Sequence, residues 1–118
     1  NVRRRIRNAR TEQTIQSIEV RREKTRIRSE VRDAWEGYRR HLERVDLAEK
    51  SIGLAEENVS IALTELEAGT ITQVELRQVQ LNLQDARTRL INAKFQAKEA
   101  EVRLRRLAGR LYDQLVGQ

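Results

Sequence analysis

The chain has 118 residues, with 24 Lys and Arg against 18 Asp and Glu, and it contains no cysteine, proline or methionine. Lack of cysteine excludes a disulfide framework and a thiolate metal site. A composition that is 36% charged and 3% aromatic suits long solvent-washed helices rather than strands, which draw on β-branched and aromatic residues. No apolar run approaches the ~20 residues that cross a bilayer. The segment therefore reads as soluble as it stands, and compatible with being the soluble part of a membrane protein whose targeting and spanning parts lie elsewhere.

The charge is unevenly placed. Residues 1–30 hold ten basic residues (nine Arg and Lys24) and four Glu, a net of +6, while the remaining 14 basic and 14 acidic residues cancel. A basic end of this kind can attract an anionic surface or nucleic acid. No aromatic stacking residue or groove-reading motif accompanies the arginines. A solvated helix end in a larger assembly is the better reading, and no nucleic-acid partner is assigned.

The first predicted helix spans about residues 2–67. From Val31 onward its heptad is regular: Val31, Tyr38, Val45, Ile52, Val59 and Leu66 recur every seven residues. Ala34, His41, Ala48, Ala55 and Ala62 do the same on the adjoining position. A strict seven-residue repeat keeps one stripe against a partner helix and implies a left-handed supercoil. Alanine at every second seam position lets two backbones approach closely, large residue against small. Trp35 and Tyr38 read as packing anchors on or beside the seam.

A turn is predicted at residues 68–71. Gly69 can take the left-handed conformation that ends a helix. Thr72 with Glu75 forms a capping box for the next helix, and Ile71 with Leu76 a hydrophobic staple. A link this short makes antiparallel neighbours. The second helix is predicted over about residues 72–108. It carries one seam series of Leu76, Leu83, Leu90, Ala97, Leu104 and Leu111, and another of Val79, Ala86, Ala93, Ala100 and Leu107. Gly109 is expected to stop it, leaving a tail at 109–118 in which Leu111 to Val116 add a short helical turn. The fold class is thus all-α: one antiparallel two-helix coiled-coil hairpin with unequal arms.

Two consequences follow. Folding about Gly69 sets Gly109 opposite roughly Ser29, so residues 2–28 should overhang by about 40 Å at a 1.5 Å rise per residue. Apolar positions thin out there to Val2, Ile6, Ile15, Ile18, Val20 and Ile27, and so weak a stripe is marginal without a partner. Each helix also has a second apolar row at heptad spacing: Leu47, Leu54 and Ile61 on the first, and Val74, Leu81, Phe95 and Val102 on the second, interrupted by Thr88. A two-helix hairpin needs only one seam per helix. Two rows suit helices with neighbours on both sides, as in a wall or closed tube of helices.

No catalytic or metal constellation emerges, and no cofactor is expected. His41, the only histidine, sits on the seam with no second histidine or cysteine to share a metal. The five glycines are dispersed and form no phosphate loop. A two-helix rod offers no concavity in which to desolvate a substrate, so an enzyme is not expected.

The turn and its surroundings resemble a known family. Glu67-Ala68-Gly69-Thr70-Ile71-Thr72-Gln73-Val74-Glu75-Leu76, followed by Gln80, Leu83, Ala86, Leu90, Ala93 and a closing Leu107-Ala108-Gly109, is similar to the second hairpin of TolC-type outer-membrane efflux proteins. Upstream, Glu30-Val31-Arg32-Asp33-Ala34-Trp35 and Ala55-Glu56-Glu57-Asn58-Val59 match the family's long helix, and the Val31–Gly69–Gly109 spacing fits without a gap. The resemblance covers essentially the whole chain. Its Arg-rich start resembles the segment just after the last barrel strand, so the chain is expected to be a piece lacking the membrane barrel.

The resemblance implies a parent trimer whose twelve-helix periplasmic tube continues an outer-membrane β-barrel. Such a hairpin is a passive conduit in an α-barrel in the periplasm, joined to an inner-membrane pump through a periplasmic adaptor. It touches the membrane only through other parts of the parent. It places Gly69, Thr70, Ile71 and Thr72 at the tip that contacts the adaptor. Glu75 falls where the family often has an acid lining the tip constriction, and Gln78 where some members have a second. Leu66 replaces the usual aromatic, Arg77 a usually apolar residue, and Gln78 is uncharged, leaving one acid at that level. Glu75 has both a capping role and a constriction role open to it. The alternative reading is a free-standing coiled-coil scaffold or interaction module. As an isolated segment the chain is expected to self-associate, with an antiparallel dimer of four helices covering the unused rows.

Overall fold

In the computed structural model, which describes residues 1–117, the chain forms two helices, α1 (Val2–Glu67) and α2 (Gln73–Val116). Gln118 lies outside the described residues. The two helices have 66 and 44 residues, so the arms are unequal as expected, and no strand occurs among the described residues. They divide into two compact units, one of residues 36–102 and one of residues 1–35 with 103–118.

Within residues 36–102 the heptad series form the interface. Tyr38, Val45, Ile52, Val59 and Leu66 of α1 are all partly covered, as are Leu76, Leu83 and Leu90 of α2. The alanines lie deepest: Ala62, Ala86 and Ala97 are buried. This is the outcome of alternating large and small residues. The alanines let the backbones close, and the leucines and valines of the other series lie over them with one edge in solvent. No large side chain is fully buried, so stability comes from a long seam and not from a central core. His41 sits in this seam half-covered, its Nδ1 buried without a hydrogen-bond partner.

The other unit departs from expectation in its helix end. Second-helix structure was expected to stop near residue 108, with 109–118 as a tail. Instead α2 runs through Gly109 to Val116. Gly69 is the glycine with a positive φ among those described. Gly109 therefore does not adopt the left-handed terminator conformation, and a helical glycine costs only about 1 kcal/mol relative to alanine. Continued packing outweighs that cost: Leu104, Leu107, Leu111 and Gln114 keep the three–four spacing and stay covered, with Leu107 buried.

The longer α2 also shortens the overhang. Ile27, expected to be uncovered, is 5% exposed, and Glu23, Lys24 and Glu30 around it are half-buried. Residues 1–22 are exposed throughout. The free stretch of α1 is thus residues 2–22, about 32 Å at a 1.5 Å rise. Trp35, expected as an anchor, is 50% exposed. It lies one residue past Ala34 of the seam, which turns the indole toward the edge of the interface.

Candidate functional site

The turn joining the helices is built from a small set of backbone-directed bonds. At the end of α1 the Gly69 N–H donates to the Leu66 carbonyl at 3.0 Å and the Thr70 N–H to the Glu65 carbonyl at 2.9 Å. This crossed pair, with Gly69 at φ +75°, is a Schellman closure. It satisfies two carbonyls that the helix end leaves open. The Thr70 hydroxyl donates to the same Glu65 carbonyl at 3.0 Å. Sequence reasoning missed that bond, although a hydroxyl directly after a terminating glycine was a signal for it.

The second helix is capped in turn. The Glu75 N–H donates to Thr72 Oγ1 at 3.2 Å, and the Thr72 N–H reaches back to Glu75 Oε2 at 3.4 Å. The Leu76 N–H donates to the Thr72 carbonyl at 3.1 Å and starts the helical ladder. Ile71 and Leu76, on either side of the cap, are half-covered in the staple positions. Seven residues between Glu65 and Leu76 take part in these bonds, which close the end of α1 and the start of α2. The tip is a rigid closed turn with exposed side chains.

Gly69, Thr70, Ile71 and Thr72 lie together in this turn. Gly69, Thr70 and Thr72 are exposed, and Ile71 alone turns toward the seam. Glu75 and Gln78 stand one helical turn apart on the first turns of α2, both exposed. The Gln78 side-chain amide donates to Asn82 Oδ1 at 3.1 Å, an i,i+4 pairing that holds its head along the helix. Val74, between the cap and Glu75, is 77% exposed.

Charge singles out the same end of the hairpin. Residues 51–76 contain Glu56, Glu57, Glu65, Glu67 and Glu75 and no Lys or Arg. No basic residue occupies the last turn of α1, where a cation would favour the carbonyl end of the helix dipole. The acidic character of the tip was visible in the sequence once charges were summed around the turn instead of from the N-terminus.

The flanks carry the remaining exposed apolar surface of residues 36–102. Leu47, Leu54 and Ile61 are 55–65% exposed, and Val74, Leu81 and Phe95 54–77%. A shallow groove of about 350 Å³ runs beside the first row, lined by Arg44, Leu47, Ala48, Ser51, Ala86 and Ala93 among others. Its floor is the alanine series, which leaves room for a side chain from another helix. No group of three or more His, Cys, Asp or Glu among the described residues is placed to hold a metal. Nor is any helix among them long and apolar enough to cross a membrane.

Comparison with protein families matches residues 1–110 to the family of outer membrane efflux proteins. No curated protein and no solved structure matches the chain. That family match takes in both helices up to the first two residues of the α2 extension, including the closed tip. The chain belongs to the outer membrane efflux protein family.

Proposed function

We propose that the chain is a periplasmic α-barrel hairpin of a TolC-like efflux channel, a passive conduit segment that docks a periplasmic adaptor at its tip. The observation that carries this reading is the pair of exposed apolar rows on residues 36–102. Leu54 and Phe95 are 63% and 64% exposed on helices whose main seam is already occupied. Rows at heptad spacing outside that seam are what a helix in a tube wall uses to meet its neighbours. The alanine-floored groove beside Leu47 supplies a matching recess.

The tip reading rests on rigidity and charge together. A docking surface loses little entropy on binding when its backbone is already fixed, and the Gly69–Thr72 turn is held from both sides. Five acidic residues without a basic one over 51–76 suit a partner whose contacting loops are basic. Glu75 serves the cap and also lies where the narrow end of the assembled tube would be, with Gln78 as its uncharged neighbour. Transport is driven by the pump, and this segment contributes no chemistry.

The test uses the full-length gene product in cells. Because the segment has no cysteine, Thr70→Cys places the one thiol of this hairpin at the tip for cross-linking. Cross-linking to a periplasmic adaptor, lost together with efflux when Gly69 and Thr70 are replaced by bulky residues, is the expected result. Adaptor binding that survives those replacements would overturn the tip assignment. For Glu75, removal of the side chain costs about 1 kcal/mol if it only caps. A large change in ion passage through the assembled channel, at normal stability, requires the constriction role.

A further inference from the structure

The alanine-floored groove on residues 36–102 joins apolar surface to unpaired positive charge. Both helices line it, and its volume of about 350 Å³ falls at the small end of the ~300–1,000 Å³ typical of small-molecule sites. Ala86 on its floor is buried, and Ala48 and Ala93 are half-buried. Arg44 and Ser51 of α1 and Arg89, Asn92 and Gln96 of α2 supply its polar side chains, and no carboxylate lines it. All five are exposed. Neither guanidinium is in an ion pair among the described residues. Asp85 stands four residues before Arg89, a spacing that favours pairing on a helix, and still leaves that arginine unpaired. The Ser51 hydroxyl is already used, donating to the Leu47 carbonyl at 3.0 Å. Recognition in the groove therefore falls to the two guanidinium groups and the two amides.

The heptad register spaces these groups. The series that meet at Ala48 and Ala93 set Arg44 level with Ala97 and Arg89 level with Ile52. The two arginines thus stand at opposite ends of the alanine floor, eight residues or about 12 Å apart along the axis. The mouth also lies off both exposed apolar rows. At ~100° per residue, Arg44 and Ser51 are roughly 60–80° round α1 from Leu54, and Arg89 and Gln96 roughly 100–120° round α2 from Phe95. Folding does not call for this arrangement, since an arginine without a partner adds nothing to the seam.

We propose that the groove is a binding site for an anionic amphiphile, a medium-chain carboxylate of the fatty-acid class. The carboxylate accepts hydrogen bonds from the guanidinium at one end of the groove, the strong charge-assisted kind, with the Asn92 or Gln96 amide as a neutral donor beside it. The unbranched chain lies along the alanines and Leu47, and the methylene stem of the second arginine covers its far end. Charge complementarity selects the ligand: two cations and no acid favour an anion, and the apolar floor between them favours one with a tail over a bare inorganic ion. The site is separate from the adaptor contact at the tip, because Ala48 precedes Gly69 by 21 residues, about 32 Å along the helix.

The test is nuclear magnetic resonance of the purified chain labelled at its alanine methyl groups. Decanoate is added below its micelle-forming concentration, with decanol and decyltrimethylammonium as neutral and cationic probes of the same chain length. Decanoate should shift the Ala48, Ala86 and Ala93 methyl signals saturably, and the cationic probe should bind at least tenfold more weakly. Arg44→Gln combined with Arg89→Gln should weaken decanoate binding about tenfold or more, with helix content by circular dichroism unchanged. Arg77→Gln combined with Arg87→Gln, two exposed arginines of α2 outside the groove, should leave it unchanged. Equal binding of the three probes would overturn the proposal by reducing the groove to unselective apolar surface. Equal weakening by the two arginine pairs would overturn it in favour of diffuse positive charge. Decanoate binding that leaves the three alanine signals in place would put the ligand on the apolar rows instead. Signals that follow chain concentration and ignore decanoate would give the groove to a second copy of the chain.

Discussion

One residue type should give opposite outcomes at two positions, and the sign depends only on backbone geometry. At Gly69 an added Cβ meets nothing within 4 Å, but φ is +75°. An L side chain in the left-handed region costs roughly 1–2 kcal/mol, partly offset by the lower entropy of the unfolded chain. Gly69→Ala should therefore destabilise by about 1 kcal/mol. At Gly109 an added Cβ also meets nothing within 4 Å, and the residue lies inside α2 without a positive φ. There the methyl group brings only helix propensity, and Gly109→Ala should stabilise by about 0.8–1 kcal/mol. The two variants should thus differ by about 2 kcal/mol, or about 1 M in urea midpoint for a slope near 2 kcal/mol/M. Urea titration followed by far-ultraviolet circular dichroism reads both. Trp35, the single tryptophan, lies in the same unit as Gly109 and reports that unit separately by fluorescence. Destabilisation by Gly109→Ala would show that Gly109 ends the helix after all, and a neutral or stabilising Gly69→Ala would refute the left-handed closure of the tip.

Thr72→Ala should cost about 1 kcal/mol through loss of the bond from the Glu75 N–H, whereas Glu75→Gln should stay within a few tenths because glutamine fills the same capping-box position; thermal melts compare them. Ile27→Ala should cost about 2 kcal/mol, since α2 reaches far enough to bury it, while the exposed Ile15→Ala should be near neutral; equal effects would mean that the α2 extension does not cover Ile27. Ala62→Leu, at a buried seam position, should destabilise by about 1–3 kcal/mol through overpacking. Leu54→Arg together with Phe95→Arg should leave the denaturation midpoint of the isolated chain within about 0.5 kcal/mol and abolish channel assembly in cells, checked by cross-linking of membranes.

Much of the fold was legible because a seven-residue repeat is a long-range signal written many times. Every seam position read from the sequence between Val31 and Leu111 is at least partly covered. The tip was legible for a different reason: Gly69, Thr72 and Glu75 act through bonds no more than three residues apart, which spacing alone can specify. The misreadings occurred where local and tertiary signals compete. Gly109 has the propensity of a terminator, but Leu104, Leu107 and Leu111 extend the seam past it, and packing against the first helix decided the outcome. The burial of Ile27 has the same cause, because α2 continues as helix past residue 108. Trp35, expected as a packing anchor on or beside the seam, lies one residue beyond Ala34 at the edge of the stripe and is half exposed.

The acidic residues around the turn show how function can be separated from folding in so simple a structure. Glu65 and Glu67 stand at the carbonyl end of α1, where a negative charge opposes the helix dipole by a few tenths of a kcal/mol, and no cation compensates within the last turn. The Schellman closure needs only the backbone at Glu65 and Leu66, so lysine or glutamine at positions 65 and 67 would close the turn as well or better. Glu75 differs: its carboxylate faces the Thr72 N–H and favours the positive end of α2. Folding accounts for Glu75 but not for its two acidic neighbours across the turn. Replacing Glu65 and Glu67 with glutamine should leave stability unchanged or slightly raised. If the same change weakens adaptor capture in a salt-dependent manner, the tip charge belongs to the contact and not to the helix.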